Sequence, residues 1–221
     1  MEKINALILA GGGGQRLGGV TKADLTIAGK SFLDQILLDL LALGVEDERI
    51  VVSGPAHLAQ TSHLRSRVMF ALEAPPAGGP AAGIVAALRA LPRPQEAKFT
   101  FITACDAPYS ARALPLLRQH WDEEVDATCA RTEEYTNYLL GWYNTESLLA
   151  AIAQRSEHHH MSVRRLVAEL RVRPVQVDST HGYDVDTWHQ YRQLKTTAPA
   201  SPPAEPLPHE PPAPDAPPVQ G

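Results

Sequence analysis

The chain has 221 residues, with 25 acidic against 20 basic side chains (net charge −5), an apolar share of 44% and two cysteines. That length suits one domain with a substantial core, and the balance is that of a globular chain. Mild acidity argues against nonspecific nucleic-acid binding, no apolar run reaches the roughly 18 residues of a membrane span, and Cys105 and Cys129 are too few for a disulfide framework.

The N-terminal apolar run, Ala6 to Ala10, is too short for a signal peptide, and the low cysteine count makes a reducing cytoplasm the expected compartment. Ile4 to Ala10 ends in glycines and predicts a buried strand. Ser31 opens SFLDQILLDLLALG, in which Leu33, Ile36, Leu37, Leu40 and Leu41 share one helical face. Ser31 and Asp34 form the pattern of a capping box, and Gly44 suits the position just past the helix end. Arg49 to Ser53 and Val68 to Leu72 predict further strands. PAAGIVAALRAL from Pro80 predicts a helix with proline in its first turn. Lys98 to Ala104 predicts another strand, with a helix from about Ser110 to Trp121. This alternation predicts an α/β fold: a mostly parallel sheet with helices on both faces. No internal repeat is visible.

Two domain-level segments are expected. Residues 1–195 form the folded domain. Residues 196–221 hold ten of the 19 prolines and few large apolar side chains, which predicts an extended, disordered Pro-rich tail. Its P-x-x-P spacings, such as Pro203 to Pro206, follow from proline density alone.

In such sheets a ligand crevice lies beyond the carboxyl ends of the strands, and three unusual segments fall there. LAGGGGQRLGGVTK, Leu9 to Lys22, carries six glycines between Gly11 and Gly19. Such a turn lets backbone amides approach a polyanion, while Arg16 and Lys22 supply positive charge. It is neither a Walker A loop, since Ala23 follows Lys22, nor a dinucleotide fingerprint, since Arg16 stands where the third glycine belongs. The second segment, EAPPAGGPAAG from Glu73 to Gly83, brings Gly78 and Gly79 to the start of a helix, where free N–H groups can face a ligand. A tight strand-to-helix connection explains it equally well. The third is TACDAP, Thr103 to Pro108. Asp106 at a strand end in an electropositive crevice suits magnesium, which takes one or two carboxylates plus phosphate oxygens. The alternative is a carboxylate that caps the following turn. Cys105 reads as a packed small residue, with no histidine nearby in sequence to activate it.

Taken together, L-A-G-G followed by R-L-G-G-x-x-K, then the G-P-x-A-G loop, then A-C-D-x-P resemble the molybdenum cofactor guanylyltransferases. These belong to the wider group of glycosyltransferase-A-like nucleotidyltransferases. The match spans about residues 4–120, and HGYDVDTWHQYRQL resembles the family's closing motif. The resemblance implies a Rossmann-like three-layer α/β/α nucleotidyltransferase domain, with Mg²⁺ as cofactor and GTP and molybdopterin as substrates. Molybdoenzyme-maturation proteins are a further implied class of partner. Transfer of GMP to the molybdopterin phosphate would release pyrophosphate. Cytidylyl transfer, another phosphate acceptor and a non-catalytic nucleotide carrier stay open as alternatives.

Site roles follow residue by residue from the same resemblance. Leu9, Ala10 and Gly11 would border guanine and ribose, with Gly12, Gly13 and the rest of the loop around the phosphates. Lys22 and Arg16 would neutralise charge, Glu73 would read the base, and Gly79 would face the nucleotide. Asp106 and Asp186 would hold the metal, with Asp184 as the alternative to Asp186. Thr21, Ala104 and Trp188 depart from the family's usual Asp, Pro and Pro. His158, His159 and His160 read as a solvated stretch before a helix over Met161 to Leu170. On that helix, Arg164 and Arg165 form a solvated face or meet the acceptor. Trp142 and Tyr143 read as strand packing.

Overall fold

A computed structural model describes residues 2–11, 17–72, 78–132 and 135–197. Strand β1 (Ile4–Leu9) is an interior strand of a seven-stranded sheet. It pairs in parallel with β4 (Ile50–Ser53) and with β6 (Phe99–Ala104), and β5 (Met69–Ala71) extends the β4 side. On the other side β8 (Thr136–Asn144) enters antiparallel between β6 and β7 (Ala127–Arg131). The edge strand β9 (Val172–Gln176) is parallel to β7. The order is therefore β5-β4-β1-β6-β8-β7-β9, with β8 alone reversed. A two-stranded hairpin, β2 (Thr26–Ile27) and β3 (Lys30–Ser31), lies apart from it.

The period-two alternation of β1 sorts the core into two layers. Ile4, Ala6, Ile8 and Ala10 pack with α1 (Phe32–Ala42) and α4 (Leu114–Gln119). Leu7 and Leu9 pack with α3 (Pro80–Ala90), α5 (Thr145–Ala153) and α6 (Val163–Leu166) on the other face. The result is the three-layer α/β/α arrangement expected from the sequence. Trp142 and Tyr143 are fully buried on β8, on opposite faces of the sheet. Trp142 stacks on Phe99 with ring centroids 4.7 Å apart.

Local chemistry explains the helix ends. Ser31 caps α1, its Oγ accepting from the Asp34 N–H at 3.0 Å. The reciprocal half of the capping box does not form. The Asp34 carboxylate turns away and accepts from the Ser62 hydroxyl at 2.6 Å, tying α1 to the turn after α2 (Leu58–Thr61). Gly44 closes α1 at φ +81°, with its N–H donating to Leu41 and that of Val45 to Leu40, the paired bonds of a Schellman ending.

Two expected helices are shorter than the sequence suggested. The segment after β6 begins as a 3₁₀ turn, Ser110–Ala113, and becomes α4 only at Leu114, with Pro115 in its first turn; it ends at Gln119, short of Trp121. The helix expected over Met161 to Leu170 is reduced to Val163–Leu166, because Val167 leaves helical geometry at φ −100°, ψ 16°.

A third apolar cluster joins distant segments around the site. Leu17, Leu25, Ile27, Phe32 and Tyr109 enclose Val185 and Leu194. Leu194 lies on α7 (Trp188–Thr197), which runs two residues past position 195. The remainder of the expected tail, 198–221, falls outside the described residues. Val185 and Leu194 therefore dock the C-terminal arm onto the N-terminal half. Leu194→Ala should cost roughly 2–5 kcal/mol if α7 unfolds with the whole domain. Urea denaturation gives that cost, and hydrogen exchange should show α7 losing protection before the central strands if it undocks alone.

Candidate active site

The site forms where β1 and β6 end side by side. The Ala10 N–H donates to Ser53 O at 2.7 Å and the Cys105 N–H to Leu9 O at 2.9 Å, so three strand ends are locked in register. Gly54 is required there, since a Cβ on it would stand 2.9 Å from the Ala10 methyl. Leu9 and Ala10 are buried, and Gly11 emerges exposed into the glycine loop. Gly12, Gly13 and Arg16 lie outside the described residues, as does Glu73. Beyond them Leu17 is buried, and Gly18 and Gly19 adopt φ +73° and +84°. Side chains rarely take that conformation, and a Cβ at either position would face open space. Gly18 and Gly19 therefore leave bare backbone beside open space just before the 3₁₀ turn Lys22–Asp24.

Lys22 is the centre of the site. Its Nζ donates to Asp186 Oδ1 at 2.5 Å and to Asp106 Oδ2 at 3.4 Å. One ammonium thus joins three segments: the end of the glycine loop, the end of β6, and the arm before α7. Burial alone would lower the Lys22 pKa, but the Asp106 and Asp186 carboxylates outweigh it, and the net shift is upward. Among the described residues the Asp106 carboxylate accepts from Lys22 and caps no turn.

The arm is fixed by backbone and side-chain bonds. The Val185 N–H donates to Asp106 O at 2.9 Å, placing the acids on either side of Val185 near Asp106. Thr187 caps α7 by accepting from the Gln190 N–H at 3.2 Å. The Gln190 side chain folds back and accepts from the Asp186 N–H at 2.9 Å. This T-x-x-Q capping arrangement holds Asp186 toward Lys22, and its signature was legible in the sequence although it was not read there.

Asp184 takes a different place from Asp186. It lines a small cleft with Asp106, Thr103, Ser110, Tyr135 and Asn137, and accepts from the Tyr135 hydroxyl at 3.2 Å. Burial, then the nearby Asp106 charge, raise its pKa to about 7. Tyr135 and Asn137 were missed in the sequence, where nothing distinguishes EYTN from an ordinary turn. They reach the cleft because the β7–β8 register shifts between Cys129 and Ala130, pairing Cys129 with Gly141 but Ala130 with Asn137.

The second glycine segment behaves differently from expectation at Gly78. A Cβ there would stand 2.7 Å from Ala82 and 2.9 Å from the His159 ring, so its bare Cα serves packing within the protein. Gly79 precedes α3 as its N-cap residue at φ +86°, a conformation that selects glycine.

The acids present an oxygen-only donor set: Asp106 and Asp186 already share one cation, and Asp184 lies close behind. One or two such carboxylates suit a hard divalent ion completed by phosphate oxygens. No cluster of three or more histidine, cysteine or acidic groups is arranged as a closed metal cage among the described residues. Nucleophilic catalysis by cysteine has no support. Cys105 is fully buried and its pKa is raised well above the ordinary value, first by burial and then by the Asp106 charge. Cys129 is buried and pushed up to about 12. Both thiols should stay inert to a thiol reagent such as DTNB near pH 8 in the folded protein and react once urea unfolds it. Rapid labelling of folded protein would contradict this burial.

Comparison with known proteins places these features in a family. The family described as MobA-like NTP transferase domain matches residues 6–175. A molybdenum cofactor guanylyltransferase of Desulfosudis oleivorans is 24% identical over 188 residues, covering 84% of this chain and 87% of that protein. Among solved structures, molybdopterin-guanine dinucleotide biosynthesis protein A of Archaeoglobus fulgidus superposes with a TM-score of 0.63 at 21% identity, over 87% of this chain and 97% of that one. A Mycobacterium tuberculosis protein solved in complex with manganese gives a TM-score of 0.65 at 18% identity, over 89% and 100% of the two chains.

Proposed function

The chain belongs to the MobA-like NTP transferase family, and from that premise we propose that it is a magnesium-dependent guanylyltransferase acting in the cytoplasm. It transfers GMP from GTP to the phosphate of molybdopterin and releases pyrophosphate. The observation that carries this reading is the Lys22 ammonium held between Asp106 and Asp186 at the strand ends, beside the glycine turn. The guanylyl and molybdopterin assignments are supported by the named Desulfosudis relative. Molybdoenzyme-maturation proteins are the partners such a product requires.

In the proposed reaction a phosphate oxygen of the acceptor attacks the α-phosphorus of GTP. The bond from that phosphorus to the bridging oxygen breaks, and pyrophosphate leaves with the electron pair. No side-chain nucleophile takes part. The protein has to bring two anions together and neutralise charge that builds on the leaving oxygens. Leu9, Ala10 and Gly11 border the nucleoside. The glycine loop, with Gly12 and Gly13, offers N–H groups to the phosphates, and Gly79 flanks the nucleotide. Glu73 reads the base, and Arg16 adds a second cation. Lys22 moves its bonds from carboxylates to phosphate oxygens as substrate arrives. Asp106 and Asp186 are the residues that would hold Mg²⁺, which supplies Lewis-acid polarisation of the phosphoryl oxygens when bound. Tyr135 keeps Asp184 oriented by donating a hydrogen bond to it.

The test is pyrophosphate release from GTP or CTP with molybdopterin present. Turnover should require Mg²⁺ and favour GTP, and Asp106→Ala should abolish it while leaving the circular dichroism spectrum unchanged. CTP preference would reassign the base, and nucleotide binding without pyrophosphate release would mark a carrier. Lys22→Ala should lower kcat by about 10²–10³-fold, the usual loss of one charge-stabilising donor. A change confined to KM would make Lys22 a uniform binder.

A further inference from the structure

A second polar cavity opens on the α3 side of the sheet. It has a volume of about 370 Å³, stands open to solvent, and is lined by the half-buried Arg155 and the exposed Ser156, Glu157, His159, His160 and Arg165, among others. It shares no lining residue with the Asp106 cleft. With both imidazoles neutral its charged walls already sum to +1, from two arginines and Glu157.

Among the described residues, the two guanidinium groups of this cavity are not neutralised by a neighbouring carboxylate. Arg49, Arg112, Arg171 and Arg173 are each tied to a carboxylate. Among the described residues, Arg155 and Arg165 have no ion pair, although Glu157 lines the same cavity. The Nε of Arg155 is shut off from solvent and has no hydrogen-bond acceptor among the described residues. A buried donor without an acceptor costs free energy, which a shift of the Arg155 side chain onto a ligand oxygen would recover.

The histidine wall is held in place rather than loose. His160 has a left-handed backbone, φ +55°, uncommon for a side chain larger than glycine. Its N–H donates to Gly78 O at 2.6 Å, and the His159 ring lies across the bare Cα of Gly78. The two imidazoles meet edge to face at 4.1 Å between centroids. The Ala81 N–H donates to Met161 O at 3.4 Å, so this wall is fastened to the first turn of α3.

We propose that the cavity of Arg155, His159, His160 and Arg165 binds a phosphate group, as a phosphomonoester or as pyrophosphate, at a site separate from the Lys22–Asp106 cleft. Guanidinium groups chelate pairs of phosphate oxygens, and imidazole N–H and the Ser156 hydroxyl complete a donor set for a dianion. Anion binding here stands without the nucleotidyl-transfer reading, whereas the source of the phosphate rests on it. The reacting acceptor phosphate must meet the α-phosphorus in the Lys22–Asp106 cleft, so at this separate site the reaction supplies the released pyrophosphate, and a phosphomonoester bound here is a second, non-reacting one.

The test uses the full chain and follows the histidine ring signals by NMR while inorganic phosphate replaces chloride at constant ionic strength. The His159 and His160 signals should shift saturably while that of His57, remote in sequence and paired with Asp24, stays fixed. Arg155→Gln with Arg165→Gln should weaken binding by at least about tenfold, the loss expected when charge-assisted bonds are removed. Arg192→Gln should leave binding unchanged, and Arg155→Lys, which retains the charge, should weaken it less than the double variant. Ribose 5-phosphate binding more tightly than pyrophosphate assigns the site to a non-reacting phosphomonoester, and the reverse order assigns it to the product. Unsaturable shifts, or equal binding by the double variant, overturn the proposal. GTP binding measured on the same samples keeps the outcomes separate: its loss would count against the proposed reaction, not against this site.

Discussion

One ammonium in contact with two carboxylates organises this protein. Lys22 stands 84 residues from Asp106 and 164 from Asp186, so the contact forms only when both halves of the chain are folded. Every neighbouring feature serves it. Parallel pairing brings the ends of β1 and β6 together, the Val185–Asp106 backbone bond lays the C-terminal arm across them, and Val185 and Leu194 bury that arm against Leu17 and Phe32. The pair is partly open to water, with 20% of the Lys22 side chain and 48% of that of Asp186 exposed, so its Coulomb energy is screened and modest. Its value lies in position: an exchangeable cation is held where strands end and a nucleotide's phosphates are expected.

What the sequence disclosed follows from how local each signal is. The strand β1 and the helix α1 carry their own periodicity and end signals, and both appear where Ile4 to Ala10 and Ser31 to Gly44 placed them. The carboxylate at 106 was legible from its place at a strand end and that at 186 through motif resemblance, and the structure brings both to Lys22. The strands β7 and β9 were not read, because ATCAR and VRPVQ mix polar and apolar residues without clean alternation. Pro174 is tolerated because β9 is an edge strand, a fact that only the pairing reveals. The insertion of β8 between β6 and β7 is a nonlocal choice with no local mark. Tyr135 and Asn137 enter the cleft through a register shift, and Asp34 abandons its capping role for Ser62, a partner 28 residues away.

The two glycine segments show why composition alone misleads about function. Gly18 and Gly19 face open space in left-handed geometry, which fits a loop that presents amides outward. Gly78, in a segment read the same way, is bare because Ala82 and His159 occupy the space a side chain would need. One glycine exposes backbone and the other admits a neighbour, a distinction no residue count can make.

Net charge deserves the same care. A chain of net charge −5 looks unsuited to polyanions, yet charges farther apart than about 8 Å are largely screened at physiological ionic strength. What a phosphate meets is the few groups within that distance. At the strand ends these are Lys22 and the acids that share it, a mixture of opposite charges within hydrogen-bonding distance of one another. At the Arg155 cavity they are guanidinium and imidazole groups with one opposing carboxylate. The overall acidity then acts against nonspecific polyanions such as nucleic acid, and it does not decide what a local cluster of a few charges meets.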